Sequence, residues 1–481
     1  MTTPVPASVP EVPPSAAPQR YRHRRGLSLP ASLEALRPDA AGIDVGAERH
    51  YVSVPEDRDP EPVRSFGCYT PELKRLAEWL VACGIRTVAL ESTGVYWIPL
   101  FRMLEEHGLE VVLVDARHVT YVPGRKSDVS DCQWLRRLHT YGLLRGAFVP
   151  EAEVAAMRAY WRQRKNLVEA AVREVLHMQK ALTQMNLHLH VALSDLTGVS
   201  GLRILRAIVA GERDAGVLAQ LAHPTVKCPR ETLEAALTGH YTEPEVFALT
   251  QALSLYDTFA AKIAECDQAL ETHLRRFPDA PVPAAPAPPN SSKRHKRQRR
   301  KNEPHFDLVQ ELVRLTGVDL TRLDGLDAMT VFTVLSEIGL DASAFPTVKH
   351  FVSWLGLCPA HAITGGKVKK RRTKPVRNRA ADALRVAAQS LHRSDSYLGA
   401  CYRRLRARLG APKAITAMAH KLARLFYALL KHGQAYVDKG QAYLEAQHRE
   451  RTIKSLLRRA QDLSLTLEIV DLVTGEVIAP A

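Results

Sequence analysis

Apolar positions along the chain follow two different rhythms. Up to about residue 115, short apolar runs alternate with amphipathic stretches. Ala41-Gly42-Ile43-Asp44-Val45-Gly46 reads as a short apolar strand that carries one acid and ends in a turn, and His50-Tyr51-Val52-Ser53-Val54 alternates as a second strand. Pro71 to Cys83 carries Leu73, Leu76, Trp79 and Leu80 at helical spacing. Arg86 to Leu90 is a buried-type strand, Trp97 to His107 a helix with Leu100, Met103 and Leu104 on one side, and Leu109 to Val114 a further strand ended by Asp115. Strands alternating with helices of this length predict an α/β domain with a partly parallel sheet, spanning 39–150.

Beyond Glu153 the rhythm becomes wholly helical. Leu167, Ala171, Val175, Met178 and Leu182 recur at three- and four-residue steps to about Leu196, and a second such stretch runs from Pro244 to about Leu274. Two long amphipathic helices joined by a small irregular region predict a helical hairpin or coiled coil over 151–275, serving self-association, a nucleic-acid contact or only as a spacer. Six prolines between Pro278 and Pro289, followed by Lys293-Arg294-His295-Lys296-Arg297-Gln298-Arg299-Arg300-Lys301, mark 276–304 as a disordered polybasic linker. A mainly helical domain is expected over 305–440, with amphipathic helices at Ala380–Leu391 and Ala414–Leu430 and a tail over 441–481. The leader 1–38, rich in Pro and Ala, shows no periodic apolar pattern and is expected to be disordered.

Composition sharpens the choice of partner. Hydrophobic residues at 46% and charged residues at 24% are ordinary for globular protein, but a formal net charge of +15 is not. It favours a polyanion, nucleic acid first, with an anionic membrane surface as the competing partner. No apolar run approaches the ~18 residues that would span a bilayer, and the N-terminus has no signal-peptide core. Seven cysteines, at 68, 83, 132, 228, 266, 358 and 401, form no CxxC pair and no metal-ligand spacing. They are expected to be reduced thiols of a cytoplasmic protein.

Two stretches could carry chemistry. The first is a set of acids: Asp44 in the first strand, Glu91 directly after a later one, and Asp128 and Asp131 at the start of a helix-like segment, three residues apart and so on one helical face. Four carboxylates from separated strands and one helix suit magnesium, which binds few protein ligands and keeps its waters, and a magnesium site can act on phosphates. Lys126 adds a cation beside them, and Asp115 is a rival for any single position. Each acid alone has an ordinary role: Asp44 as a turn former, Glu91 as a helix-start residue, Asp128 or Asp131 as a partner of the helix dipole.

The second stretch is Leu355-Gly356-Leu357-Cys358-Pro359, then Thr364-Gly365-Gly366-Lys367, continuing through Lys369, Lys370, Arg371, Arg372, Lys374, Arg377 and Arg379. A hydroxyl beside two glycines lets a phosphate backbone come close, and the cations would hold it. This predicts a nucleic-acid loop with a candidate hydroxyl nucleophile; a flexible basic loop without chemistry is the alternative. Leu323-Asp324-Gly325-Leu326-Asp327-Ala328 further resembles the turn of a helix-hairpin-helix unit, which offers backbone amides to a phosphate.

The order Gly-Ile-Asp-Val-Gly (42–46), Glu-Ser-Thr-Gly-Val-Tyr-Trp (91–97), Lys-Ser-Asp-x-x-Asp (126–131), Gly-Leu-Cys-Pro (356–359) and Gly-Gly-Lys (365–367) resembles the DEDD transposases of insertion sequences, a family related to the Piv-type DNA invertases. The similarity runs from about Ala40 to about Gly440 and includes Leu405 to Gly410 with Lys413 to Thr416. The resemblance implies an α/β ribonuclease-H/RuvC-like N-terminal domain, a coiled-coil connection and a mainly α C-terminal transposase domain. It also implies Mg2+ bound by Asp44, Glu91, Asp128 and Asp131. A hydroxyl in the C-terminal domain would attack DNA and form a covalent intermediate. Implied partners are DNA at the element ends and target, a structured guide (bridge) RNA, and further copies of the chain in a dimer or tetramer. The chain departs from the family at one atom group. Where the family pattern reads Ser-Gly-Gly it has Thr364-Gly365-Gly366, whose β-methyl restricts χ1 and crowds the line of attack. Ser353 lies nearby but does not match the motif. Two other readings stand beside a transposase: a Holliday-junction-type nuclease in which water attacks, and a nucleic-acid-binding relic without catalysis.

Overall fold

A computed structural model describes residues 35–92, 94–115, 128–280, 301–359, 362–365, 367–370, 373, 376–433, 440–462, 465–470 and 477–478. Residues 1–34 of the expected leader and 281–300 of the expected linker lie outside these. The chain divides into two compact units, 1–149 and 150–481.

In the first unit a five-stranded sheet has the order β3-β2-β1-β4-β5. Its strands are β1 (Ala40–Val45), β2 (Arg49–Ser53), β3 (Val63–Gly67), β4 (Thr87–Glu91) and β5 (Glu110–Val114). β1, β2 and β3 form an antiparallel meander, whereas β1, β4 and β5 run parallel. This mixed sheet is consistent with a ribonuclease-H-like arrangement. The central strands β1 and β4 are buried on both faces, and their sequences are therefore almost continuously apolar.

On one face, Ile43, Val45, Val88 and Leu90 meet Leu73, Leu76 and Leu80 of α1 (Thr70–Ala82) and Leu100 and Leu104 of α2 (Trp97–Glu106). α1 starts with Pro71 in its first turn, where a missing N–H costs nothing, and Glu72 sits favourably at the positive end of the helix dipole. The other face is covered by α3 (Asp128–Thr140), through Leu135 against Ala89 and Val114. The hydrophobic pattern gave no sign of β3. As an edge strand it buries only Phe66, so it lacks the alternation that marks a half-buried strand.

The second unit is helical. α4 (Ala152–Gln184) and α9 (Glu243–Leu274) pack along each other, joined by α5 (Leu189–Ala192), α6 (Val199–Val209), α7 (Ala215–Gln220) and α8 (Arg230–Leu237). They run antiparallel: His273, near the end of α9, hydrogen-bonds to the carbonyl of Glu153 at the start of α4 (2.9 Å). Helical spacing predicted continuation to about Leu196, but α4 stops at Gln184. Asn186 then adopts a left-handed conformation (φ 58°), which Asn tolerates better than most residues. The short helices build a separate core on Met178, Leu182, Ile204, Leu205, Leu233 and Leu249.

At the opposite end, Met157, Trp161, Leu270 and Leu274 join the core of α10 (Leu308–Thr316), α11 (Ala328–Ile338), α12 (Val348–Trp354), α13 (Arg379–Ser390), α14 (Tyr397–Leu409) and α15 (Ala411–His432). Between α12 and α13 lies a hairpin of β6 (Ala362–Thr364) and β7 (Lys367–Lys370). Gly440–Asp462, expected only as tail, is a helix, α16, and a two-residue pairing of Ile469–Val470 with Val477–Ile478 follows it.

α4 is fixed to this core by charge as well as apolar area. Arg158 donates to the Ser336 and Glu337 carbonyls at the end of α11, Arg162 makes a two-point contact with the Glu337 carboxylate (2.9 and 2.7 Å), and Trp161 stacks edge-on against Phe332. Arg164 and Asp267, with side chains 2% and 1% exposed, form an ion pair between α4 and α9, and Asp267 Oδ2 also accepts from the His305 amide (3.0 Å). Removing one partner of such a pair strands a buried charge. Asp267→Ala is therefore expected to cost about 3–5 kcal/mol in chemical denaturation. Arg164→Met combined with Asp267→Leu should recover most of the loss; no recovery would mean that the contact is more than an ion pair.

Candidate active site

The strand register places the first two acids. Ile43 of β1 is level with Leu90 of β4, so Asp44 and Glu91 are neighbours one step further on, at the carboxyl ends of the two parallel strands. Side chains alternate across a sheet. Ile43 and Leu90 face α1 and α2, which leaves Gly42, Asp44, Ala89 and Glu91 on the face that α3 covers. Asp115 follows β5, whose Val112 and Val114 pack on the α3 side, so alternation gives it the opposite parity.

The second pair depends on how α3 lies on the sheet. Its last turn sits over the start of β4, where His139 Nε2 and the Thr87 hydroxyl share a 2.8 Å hydrogen bond. Its middle crosses β1 at Gly42, where a Cβ would fall on the Arg136 amide and the Cys132 carbonyl, well inside contact distance. Arg136 Nε donates to the Ser53 hydroxyl on β2 (3.1 Å), fixing the crossing from a second strand. α3 thus runs opposite to β1 and β4. From His139 back to Asp131 the helix rises about 12 Å, and from Thr87 forward to Glu91 the strand advances about 13 Å. Asp131 is therefore level with Glu91 and Asp44, and Asp128 one turn beyond. Asp131 and Asp44 both act electrostatically on the Cys132 thiol.

Asp128 is exposed, while Asp44, Glu91 and Asp131 are half-buried. The Cys132 thiol is pushed up to about 12, first by burial and then by Asp44. Among the described residues no three His, Cys, Asp or Glu side chains already form a metal cage. The donors still suit a hard cation such as Mg2+, which takes one or two carboxylates and retains waters. Lys126 lies outside the described residues.

In the second unit Thr364 is the last residue of β6, exposed, and paired with Lys367. Gly365 has φ 56°, the left-handed region that tight hairpin turns require, and open space where a side chain would stand. Lys367, Lys369 and Lys370 belong to β7, and Arg377 and Arg379 are exposed ahead of and at the start of α13. Gly366, Arg371, Arg372 and Lys374 lie outside the described residues. The turn at Gly325 has a packing explanation: its Cβ position would meet the Ala387 carbonyl on α13 and the side chain of Leu391 just after it. Sequence reading missed Gly42, although a glycine inside an otherwise apolar strand signals close backbone approach.

Residues 41–187 match the IS110 DEDD transposase family model, described as a transposase, and residues 319–403 match that of the transposase IS116/IS110/IS902 family. No curated protein matches the chain. An acid-bearing mixed sheet followed by a helical unit, with both matches in this order, defines a two-part transposase. The chain belongs to the DEDD-type insertion-sequence transposases. Membership implies that it binds DNA. Among the described residues no helix is long and apolar enough to cross a membrane.

Two outcomes test the role of α3. Gly42→Ala is expected to lower stability by about 1–3 kcal/mol, read by denaturant unfolding, because α3 must lift from β1. The second outcome concerns pH. Burial, and then the Arg37 cation, push His139 down to about 4 from its ordinary 6.5. The unfolded chain therefore takes up this proton first, so stability is complete above pH 6.5 and falls by about 3 kcal/mol as pH drops towards 4. His139→Gln should flatten that stretch of the pH–stability curve; an unchanged slope would exclude His139 as its source.

Proposed function

We propose that this transposase cuts and rejoins DNA with Mg2+ held by Asp44, Glu91, Asp128 and Asp131 and with the Thr364 hydroxyl as nucleophile. The observation that carries the first half is the levelling of the acids: α3, crossing β1 at Gly42, brings its first turn to the strand ends that bear Asp44 and Glu91. Bound there, Mg2+ would neutralise phosphate charge and orient the scissile group. The support for Thr364 is its exposed place at the tip of a Gly-containing hairpin, with room for a DNA backbone beside Gly365.

In the strand-transfer step the Thr364 oxygen forms a bond to phosphorus, its proton leaves to solvent or a nearby base, and the DNA oxygen departs and takes up a proton. The released DNA hydroxyl, or that of another strand, reverses the step. Bond energy is conserved in the phosphodiester, so rejoining needs no external energy source. Lys126, Lys367, Lys369, Lys370, Arg371, Arg372, Lys374 and Arg377 hold the DNA backbone, with Gly365 and Gly366 allowing its approach. A structured guide RNA, a homo-oligomer and a coiled-coil role for α4 and α9 complete the reading, supported by the family's pattern and the +15 charge.

Recombination and covalent trapping test it together. Asp44→Asn or Asp131→Asn is expected to reduce recombination about a thousandfold, equivalent to several kcal/mol of transition-state stabilisation. Thr364→Ala should abolish the trapped protein–DNA adduct, and Thr364→Ser should keep it, with a rate at least equal to the parent because the crowding methyl is gone. Cleavage without any adduct in the parent, unaffected by Thr364→Ala, would instead establish attack by water.

A further inference from the structure

Beyond residue 403, where the second family match ends, α15 builds a surface that the proposed chemistry does not use. Lys421, Arg424, Ala428 and Lys431 recur at steps of three and four, so they share one face of the helix. That face forms one wall of a groove of about 800 Å3, and the chain entering α12 at Pro346, Thr347 and Val348 forms the other. Leu425, Ala428 and Val348 supply apolar lining between the cations.

The cations are positioned but not neutralised. Lys431 Nζ donates to the Pro346 carbonyl (3.1 Å) and the Tyr427 hydroxyl (2.9 Å), which pins the ammonium at the rim and ties the two walls together. Lys421 Nζ lies 4.4 Å from the Tyr397 ring centroid and 3.2 Å from Cys401 Sγ. Arg424 is exposed. Among the described residues no carboxylate lines the groove, and none forms an ion pair with Lys421, Arg424 or Lys431. Elsewhere in this unit Arg162, Arg164, Arg206, Arg230 and Arg314 each have an acidic partner. Unpaired charge gathered around an apolar floor marks a site for an anion that also carries apolar surface.

A duplex presents phosphates outward and keeps its bases stacked inside, so it would use the rim and leave the floor empty. A single strand uses both, with its backbone along the cations and its bases on the apolar lining. We propose that the groove between the entry to α12 and the last three turns of α15 binds unpaired DNA, separately from the Thr364 hairpin. The inference rests on the strand-exchange reading, in which cutting and rejoining expose unpaired DNA.

Fluorescence anisotropy on the full chain tests it, with a labelled single-stranded DNA, the duplex of the same sequence and the matching single-stranded RNA. Lys421→Gln with Arg424→Gln should weaken single-stranded DNA binding about tenfold and make its salt dependence shallower by about 1.4 in log–log slope, two contacts' worth, with a smaller effect on the duplex. Ala428→Trp, which fills the floor and leaves the charge unchanged, should weaken the single strand alone. Parent-like melting temperatures identify these as binding effects. Unchanged single-strand affinity in both variants, an equal loss for the duplex, or a preference for the RNA strand would each overturn the assignment. Failure of the parent chain to bind any of the three probes would instead overturn the strand-exchange reading itself.

Discussion

Everything proposed for the first unit depends on one close contact, the crossing of α3 over β1 at Gly42. Helix and strand backbones meet there without a side chain between them. The spacing allows Leu135 to reach Ala89 and Val114, and the Arg136–Ser53 and His139–Thr87 hydrogen bonds fix direction and height. With direction and height fixed, the first turn of α3 has only one place to be, at the strand ends that carry Asp44 and Glu91. A wider crossing would still bury apolar surface, but it would lift Asp128 and Asp131 out of level with their partners. The acids are thus arranged by packing. Like charges would not gather there unaided, since four carboxylates in one place repel one another.

The second unit solves a different problem, how to hold helices of 33 and 32 residues without burying them along their full length. Its answer is to anchor both ends. Near the first end, Trp161, Arg158 and Arg162 lock α4 to α11, and Asp267 gathers Arg164 and the His305 amide. At the other end the short helices α5 to α8 enclose a core of their own. The buried ion pair serves geometry more than stability, because desolvation offsets most of its Coulomb gain, while a mispaired arrangement would leave a charge uncompensated.

Charge is distributed unevenly. Many cations of the helical unit are spent on structural pairs, whereas those on the α15 face have no acidic partner among the described residues and Arg377 and Arg379 stand exposed. Net charge alone therefore says that a polyanion binds, but not where. Where it binds depends on which cations the fold leaves without partners.

The sequence by itself determined the elements of the first unit other than β3, their order and the types of residue at their ends. Those follow from local rules: period-two and period-3.6 burial, Pro71 at a helix start, an acid directly after an apolar run. The motif series also marked Asp44, Glu91, Asp128, Asp131 and Thr364 as a set before any distance was known. Hidden from it were β3, whose single buried residue leaves no period, the stop of α4 at Gln184, and the short helices that follow. Also hidden were the height and direction of α3 and the unpaired face of α15. Tertiary structure alone decided these. A crossing point, an ion pair or an unpartnered cation is a relation between residues far apart in the chain, and no local pattern of apolar and polar positions encodes it.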